Sequence, residues 1–186
     1  YKRQFDEAGE EFDDLCFLET DERGYCNVPS PAVTGMLRDP HWFAEFFSPP
    51  RIGPRVERNG RRALLSLDVE TGWDFTNAVH CNTGLEALSR LKIQWLGTSP
   101  PWTNFSDLQR FFNMKKIAPA VWQQRWELGM QLLAFTMKCI QRQIDEGRFL
   151  FFEQSARSTN WKTDVVMQIA RQESVWVVEF DQCRFG

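Results

Sequence analysis

The chain has 186 residues, 42% of them hydrophobic, and a formal net charge of −3. That length suffices for one domain with a sizeable core, and no stretch approaches the roughly 18 apolar residues of a membrane span. The five cysteines are scattered and have no zinc-ligand spacing, and the two histidines lie far apart, which points to reduced thiols in an intracellular protein, nuclear or cytoplasmic, with no metal site.

The charge is unevenly spread. Residues 1–22 carry nine acidic and two basic side chains, which leaves the remainder at +4. Most of that excess is Arg51, Arg55, Arg58, Arg61 and Arg62, opposed by Glu57. Such a cluster can neutralise phosphates; a solvated helix face gives the same pattern.

Residues 1–34 read as an acidic, irregular lead-in that ends in the turn-rich Asn27-Val28-Pro29-Ser30-Pro31. Residues 35–186 read as one α/β domain. The chain starts at Tyr1 and stops at Gly186 just after a strand-like run, which suggests a domain taken from a longer protein. The first strand is predicted over 42–47, closed by Ser48-Pro49-Pro50 because two prolines forbid continued pairing. A short helix over 53–59 ends at Gly60. A second strand, 63–69, is nearly all apolar, as expected of one buried on both faces. A helix over 83–91 and a strand over 93–97 follow, the latter running into Thr98-Ser99-Pro100-Pro101-Trp102.

A long helix is predicted over 119–146. Trp122, Trp126, Met130, Leu133, Met137, Ile140 and Ile144 recur at steps of three or four, Pro119 suits the first turn, and Gly147 stops it. Residues 149–153 read as a buried strand, 162–172 as a helix and 175–180 as a further strand. The alternation predicts a Rossmann-like fold, a mainly parallel sheet of about five or more strands flanked by helices.

Open parallel sheets bind ligands beyond the carboxyl ends of their strands. Here those ends are polar and turn-rich: Ser48-Pro49-Pro50-Arg51, the stretch from Asp68 to Asp74, Ser99-Pro100-Pro101-Trp102 and Glu153-Gln154-Ser155. Asp68 or Glu70 could take the ribose hydroxyls of an adenosine cofactor, with Asp74 near the adenine edge; each could equally be a strand-end cap. No G-x-G-x-x-G loop, Walker loop or G-x-S-x-G elbow occurs, which speaks against nicotinamide or flavin cofactors, nucleotide hydrolysis and Ser-elbow hydrolases.

The order Phe46-Phe47-Ser48-Pro49-Pro50, Asp68, Gly72-Trp73-Asp74-Phe75, Ser99-Pro100-Pro101-Trp102-Thr103-Asn104-Phe105-Ser106 and Phe152-Glu153 resembles DNA cytosine-5 methyltransferases. It is closer still to the divergent methyltransferase-like segments of protist and fungal retrotransposon polyproteins. The resemblance covers about residues 42–186. It implies S-adenosylmethionine as cofactor, held by the loop around Phe47 and Ser48 and by the acidic residues Asp68, Glu70 and Asp74. It implies a nucleic acid, DNA before RNA, as partner, with Arg51, Arg55 and Arg58 on its phosphates. The family's first loop, Phe-Ser/Ala-Gly-x-Gly, has lost its glycines here, and of its Glu-Asn-Val element only Glu153 is kept. No target-recognition domain follows, so a partner domain or subunit is expected to supply recognition.

Trp102 stands where that family has its nucleophilic cysteine. Indole cannot add to cytosine carbon six. Cys183, at another predicted strand end, has only Arg184 as an activating neighbour in sequence and is not expected to substitute. The segment is therefore either an inactive binding or scaffold module or an enzyme of other chemistry. Amino-methyltransferases acting on exocyclic nitrogens use Asp/Asn/Ser-Pro-Pro-aromatic loops, which Ser99-Pro100-Pro101-Trp102 matches. On that likeness Ser99 and Pro100 accept hydrogen bonds from the target amine and Trp102 stacks on the extruded base.

Overall fold

A computed structural model describes residues 19–20, 26–27, 43–101, 103–106 and 116–181. Within the lead-in, where no regular structure is expected, β1 (Glu19–Thr20) pairs antiparallel with β2 (Cys26–Asn27). Among the described residues, eight strands and α-helices then alternate: β3 (Phe43–Phe46), α1 (Gly53–Arg58), β4 (Ala63–Leu67), α2 (Ala78–Arg90), β5 (Trp95–Thr98), α3 (Pro119–Asp145), β6 (Phe149–Phe152) and α4 (Asp164–Ala170). Strands β3 to β6 form one parallel sheet in the order β4-β3-β5-β6. The chain is thus α/β, with a four-stranded parallel sheet flanked by helices.

From β3 the chain moves outward to β4, then crosses back over β3 to β5 and continues to β6. The direction of winding reverses between β3 and β5, and a crevice opens at the carboxyl ends of such a pair. The loops leaving that pair begin at Phe47 and Ser99.

Strand alternation sorts the core. Ala44, Phe46, Leu67 and Leu96 face a cluster that contains Leu88 of α2 and Phe135 and Cys139 of α3. A second cluster joins Phe105, Leu133, Met137 and Ile140 to Val166 and Ile169 of α4. The predicted stripe from Trp126 to Ile144 therefore packs in this cluster, whereas Trp122 is in neither cluster, and Phe135 and Cys139 add a second stripe because α3 packs on two partners at once. On the other sheet face Phe151 lies over Gly97, where a Cβ would stand 2.5 Å from its ring. The two ladder partners touch directly, which only glycine permits as they are placed. α3 runs 27 residues, about 40 Å at 1.5 Å per residue. It outreaches strands of four or five residues, and its first turns stand beyond the carboxyl edge, where Trp126 meets Phe105 with centroids 5.1 Å apart.

Several expected boundaries move. α2 begins at Ala78, five residues before the predicted start, because Asn77 caps it by accepting from the Val79 amide at 2.8 Å. The predicted helix over 162–172 is a 3₁₀ turn at Thr159–Lys162 followed by the shorter α4. The predicted fifth strand at 175–180 takes no place in the sheet, and Trp176, Val178 and Phe180 are exposed. Among the described residues no strand pairs with it, and β-rich composition alone does not make a strand. The long helix starts at the predicted Pro119 and ends at Asp145, one residue short of the predicted limit, with Gly147 in the left-handed region at φ 63° just beyond.

Candidate functional site

All four parallel strands end on the same edge, so Ser48, Asp68, Ser99 and Glu153 come to one side of the sheet. From β4 to β6 that edge spans three strand spacings, about 14 Å. Its two central loops are bonded to their neighbours. Phe47 donates its amide to Leu67 O at 3.0 Å, Ser99 donates its amide to Phe46 O at 3.2 Å, and Ser66 Oγ donates to Ser48 O at 3.0 Å. Phe47 turns out of β3 with φ 59°. That conformation is costly for a bulky residue, and such strain gathers at functional turns. Its half-buried ring packs against Phe75 at 4.8 Å and Phe135 at 6.2 Å, so one side of this expected cofactor contact leans on the core.

The first loop is closed by a residue that sequence reasoning missed. Glu45 lies in the middle of β3 and is 1% exposed. Its Oε1 accepts from the Gly53 amide at 3.1 Å and its Oε2 from the Ile52 amide at 3.2 Å. A buried carboxylate needs such partners, and here it finds them in the leading amides of α1. A Cβ at position 53 would meet Glu45 Oε1 at 3.1 Å, so this glycine admits the carboxylate. The one signal in the sequence is a glutamate within an otherwise apolar strand.

The acidic stretch after β4 is well formed but locally engaged. Asp68 caps the 3₁₀ turn Val69–Thr71, its Oδ1 accepting from the Glu70 amide at 2.9 Å while Thr71 Oγ1 accepts from the Asp68 amide at 2.9 Å. Glu70 is exposed on that turn. Asp74 Oδ1 accepts from Thr76 Oγ1 at 2.7 Å and from the Thr76 amide at 2.8 Å, and these bonds hold its carboxyl below the ordinary value. His80 Nδ1 accepts from the Asp74 amide at 2.9 Å, which fixes the turn against the start of α2. Cys81 donates to Phe75 O at 3.2 Å, and burial raises its thiol pKa.

The β5 and β6 ends meet directly. Ser99 Oγ donates to Glu153 Oε2 at 2.7 Å. Next to it, Gln154 Nε2 donates to Pro100 O at 2.7 Å, and Asn160 Nδ2 donates to Gln154 Oε1 at 2.7 Å. Pro100 is buried, Gln154 is 9% exposed and Asn160 1%. Gln154 was legible only as the residue after Glu153. Asn160 gave no signal beyond the turn-forming run Ser158-Thr159-Asn160.

Trp102, Cys183 and Arg184 lie outside the described residues. The arginines form a stripe: Arg51 stands in the first loop, and Arg55 and Arg58 follow down α1, all three exposed. Arg55 and Arg58 are three residues apart in α1, about 4.5 Å along the helix axis, and Arg51 precedes the helix. Among the described residues no carboxylate pairs with these three.

No helix among the described residues is long and apolar enough to cross a membrane. No protein-family model, curated protein or solved structure matches the chain.

Proposed function

We propose that this domain is an S-adenosylmethionine-dependent nucleic-acid methyltransferase of Rossmann-like architecture that acts on an exocyclic amine, on DNA before RNA. The observation that carries the reading is the Ser99–Glu153 hydrogen bond, made at the carboxyl edge beside the reversal point of the sheet. A serine whose proton is held by a carboxylate keeps its oxygen lone pairs for an incoming donor.

The residues fit the cofactor at its nucleoside end. Asp68 and Glu70 stand on the β4 turn at the same edge, and acidic groups in that position suit ribose hydroxyls. When bound, the cofactor supplies an electrophilic methyl group. Ser99 Oγ accepts a hydrogen bond from the target amine and orients its lone pair; Pro100 O, with one lone pair on Gln154, has a second for the same amine. Transfer of the bound cofactor's methyl group to the amine nitrogen would leave the amine cationic. Its proton passes to Ser99 Oγ while the serine proton moves to Glu153 Oε2, so the pair ends neutral and the product amine uncharged. Trp102 supplies a stacking face for the base, and Arg51, Arg55 and Arg58 take the phosphates.

One observation favours a second reading, a binding module without catalysis. Glu45 occupies the leading amides of α1, which in related α/β loops lie close to a ligand's anionic group. Calorimetric titration with S-adenosylmethionine separates the two readings: saturable binding at one site supports the enzyme, and no heat at millimolar cofactor supports the module.

A further inference from the structure

Pro100 and Pro101 have no N–H, so the amide of Ser99 is the one backbone donor that Ser99–Pro101 possesses, and Phe46 O takes it at 3.2 Å. A hydrogen bond to the backbone of Pro100 or Pro101 therefore has to be made at a carbonyl. Gln154 makes one, with Nε2 donating to Pro100 O at 2.7 Å. A primary amide can be turned end for end within the same volume, and turned Gln154 would set Oε1 against Pro100 O, acceptor to acceptor. Asn160 decides the orientation, because its Nδ2 donates to Gln154 Oε1 at 2.7 Å. Asn160 is itself fixed by the 3₁₀ turn it sits in. Ser158 caps that turn, and Thr159 Oγ1 donates to Phe105 O at 3.0 Å, back on the β5 loop. Among the described residues the buried Asn160 Oδ1 has no hydrogen-bond partner. The packing thus holds Asn160 in the orientation that serves Gln154 at the expense of its own acceptor.

We infer that Gln154 and Asn160 are positioning residues: a relay of two amides aims the Pro100 carbonyl and, through the adjoining residue, holds the Ser99 hydroxyl against Glu153. The role assigned to that geometry rests on reading Ser99–Pro101 as the transfer loop; the geometry itself does not. Asn160→Asp offers Gln154 only acceptors and forces its amide to turn. Gln154→Met removes the donor at similar volume and serves should Asn160→Asp fail to fold. Trp161→Phe is the control, since it deletes the Trp161 Nε1 bond to Ser155 O on the same connection without touching Pro100.

The test combines hydrogen exchange at the Ser99 amide with kinetics on cytosine- and adenine-containing oligonucleotides. Asn160→Asp and Gln154→Met should speed Ser99 exchange at least about tenfold, and Trp161→Phe should leave it within about threefold. Transfer by the first two should fall at least about tenfold in kcat with KM within about threefold, the pattern of a misaligned acceptor rather than weakened binding. Unchanged Ser99 exchange in the folded variants overturns the inference, and so does an equal effect in Trp161→Phe. The expected exchange pattern in a protein that transfers no methyl group upholds the relay and removes the transfer reading instead.

Discussion

Ser99 and Glu153 are 54 residues apart in the chain and 2.7 Å apart in space, joined because β5 and β6 are parallel ladder neighbours that end at the same level. The serine proton is committed to the carboxylate, which makes the pair an acceptor site with a proton exit. Ser99→Ala should therefore slow transfer by an amount equivalent to about 1–3 kcal/mol of hydrogen bonding. Glu153→Gln still accepts from Ser99 but cannot take its proton, and should cost about 10²–10⁴-fold in kcat with little change in base binding. Steady-state kinetics of the two variants check this; a Glu153→Gln enzyme with wild-type kcat would remove Glu153 from the proton path.

Glu45 should matter to stability before it matters to ligands. In Glu45→Gln one of the two amides of Ile52 and Gly53 faces an NH₂ group instead of an oxygen. The expected loss is about 1–3 kcal/mol in urea unfolding, the cost of a buried group left unsatisfied. A change below about 0.5 kcal/mol, the level of an ordinary surface substitution, would show that the first loop does not depend on this carboxylate.

These residues mark what the sequence disclosed and what it did not. Strands β4 and β6 are legible as continuous apolar runs, but both lie at the edges of the described sheet and are largely half-buried rather than buried on both faces, with Phe151 exposed. Helix α3 is legible because its stripe lies between Pro119 and Gly147. Parallel order then brings Ser48, Asp68, Ser99 and Glu153 to one edge whatever their individual partners. Glu45, Gln154 and Asn160 were not assigned because their roles depend on partners brought near by the fold, eight residues on for Glu45–Gly53 and 54 residues back for Gln154–Pro100. The segment 175–180 shows the limit of composition alone: it reads as an apolar, β-rich run, yet it is not part of the described four-stranded sheet.

Asp74 offers a measurement of loop order that needs no ligand. Its carboxyl is held below the ordinary value first by the Thr76 hydroxyl, then by the Thr76 amide. With the folded pKa depressed, the contribution to stability is present above the unfolded value and is lost as pH falls through the folded one. An NMR titration should place the Asp74 midpoint below that of an unstructured aspartate, and Thr76→Val should move it back up. An unmoved midpoint in Thr76→Val would mean that the turn does not form as described.

The arginine stripe predicts a salt signature. If Arg51, Arg55 and Arg58 meet phosphates, their joint replacement by Gln should weaken duplex binding for all sequences alike. The slope of log affinity against log salt should shrink by about 0.9 for each phosphate that is no longer neutralised. Fluorescence anisotropy at several salt concentrations measures both. An unchanged slope would return the stripe to the status of a solvated helix face.

The most direct test of the account is methyl transfer itself. The protein is incubated with methyl-labelled S-adenosylmethionine and mixed DNA and RNA oligonucleotides, and the label is located by mass spectrometry of the nucleosides. Methylated cytosine N4 or adenine N6 is predicted, with no covalent enzyme–base adduct, and Trp102→Ala should lose base stacking worth about 1–3 kcal/mol that Trp102→Phe largely retains. Label at cytosine carbon five would contradict the amine assignment, and no label on any substrate together with no cofactor binding would contradict the enzyme altogether.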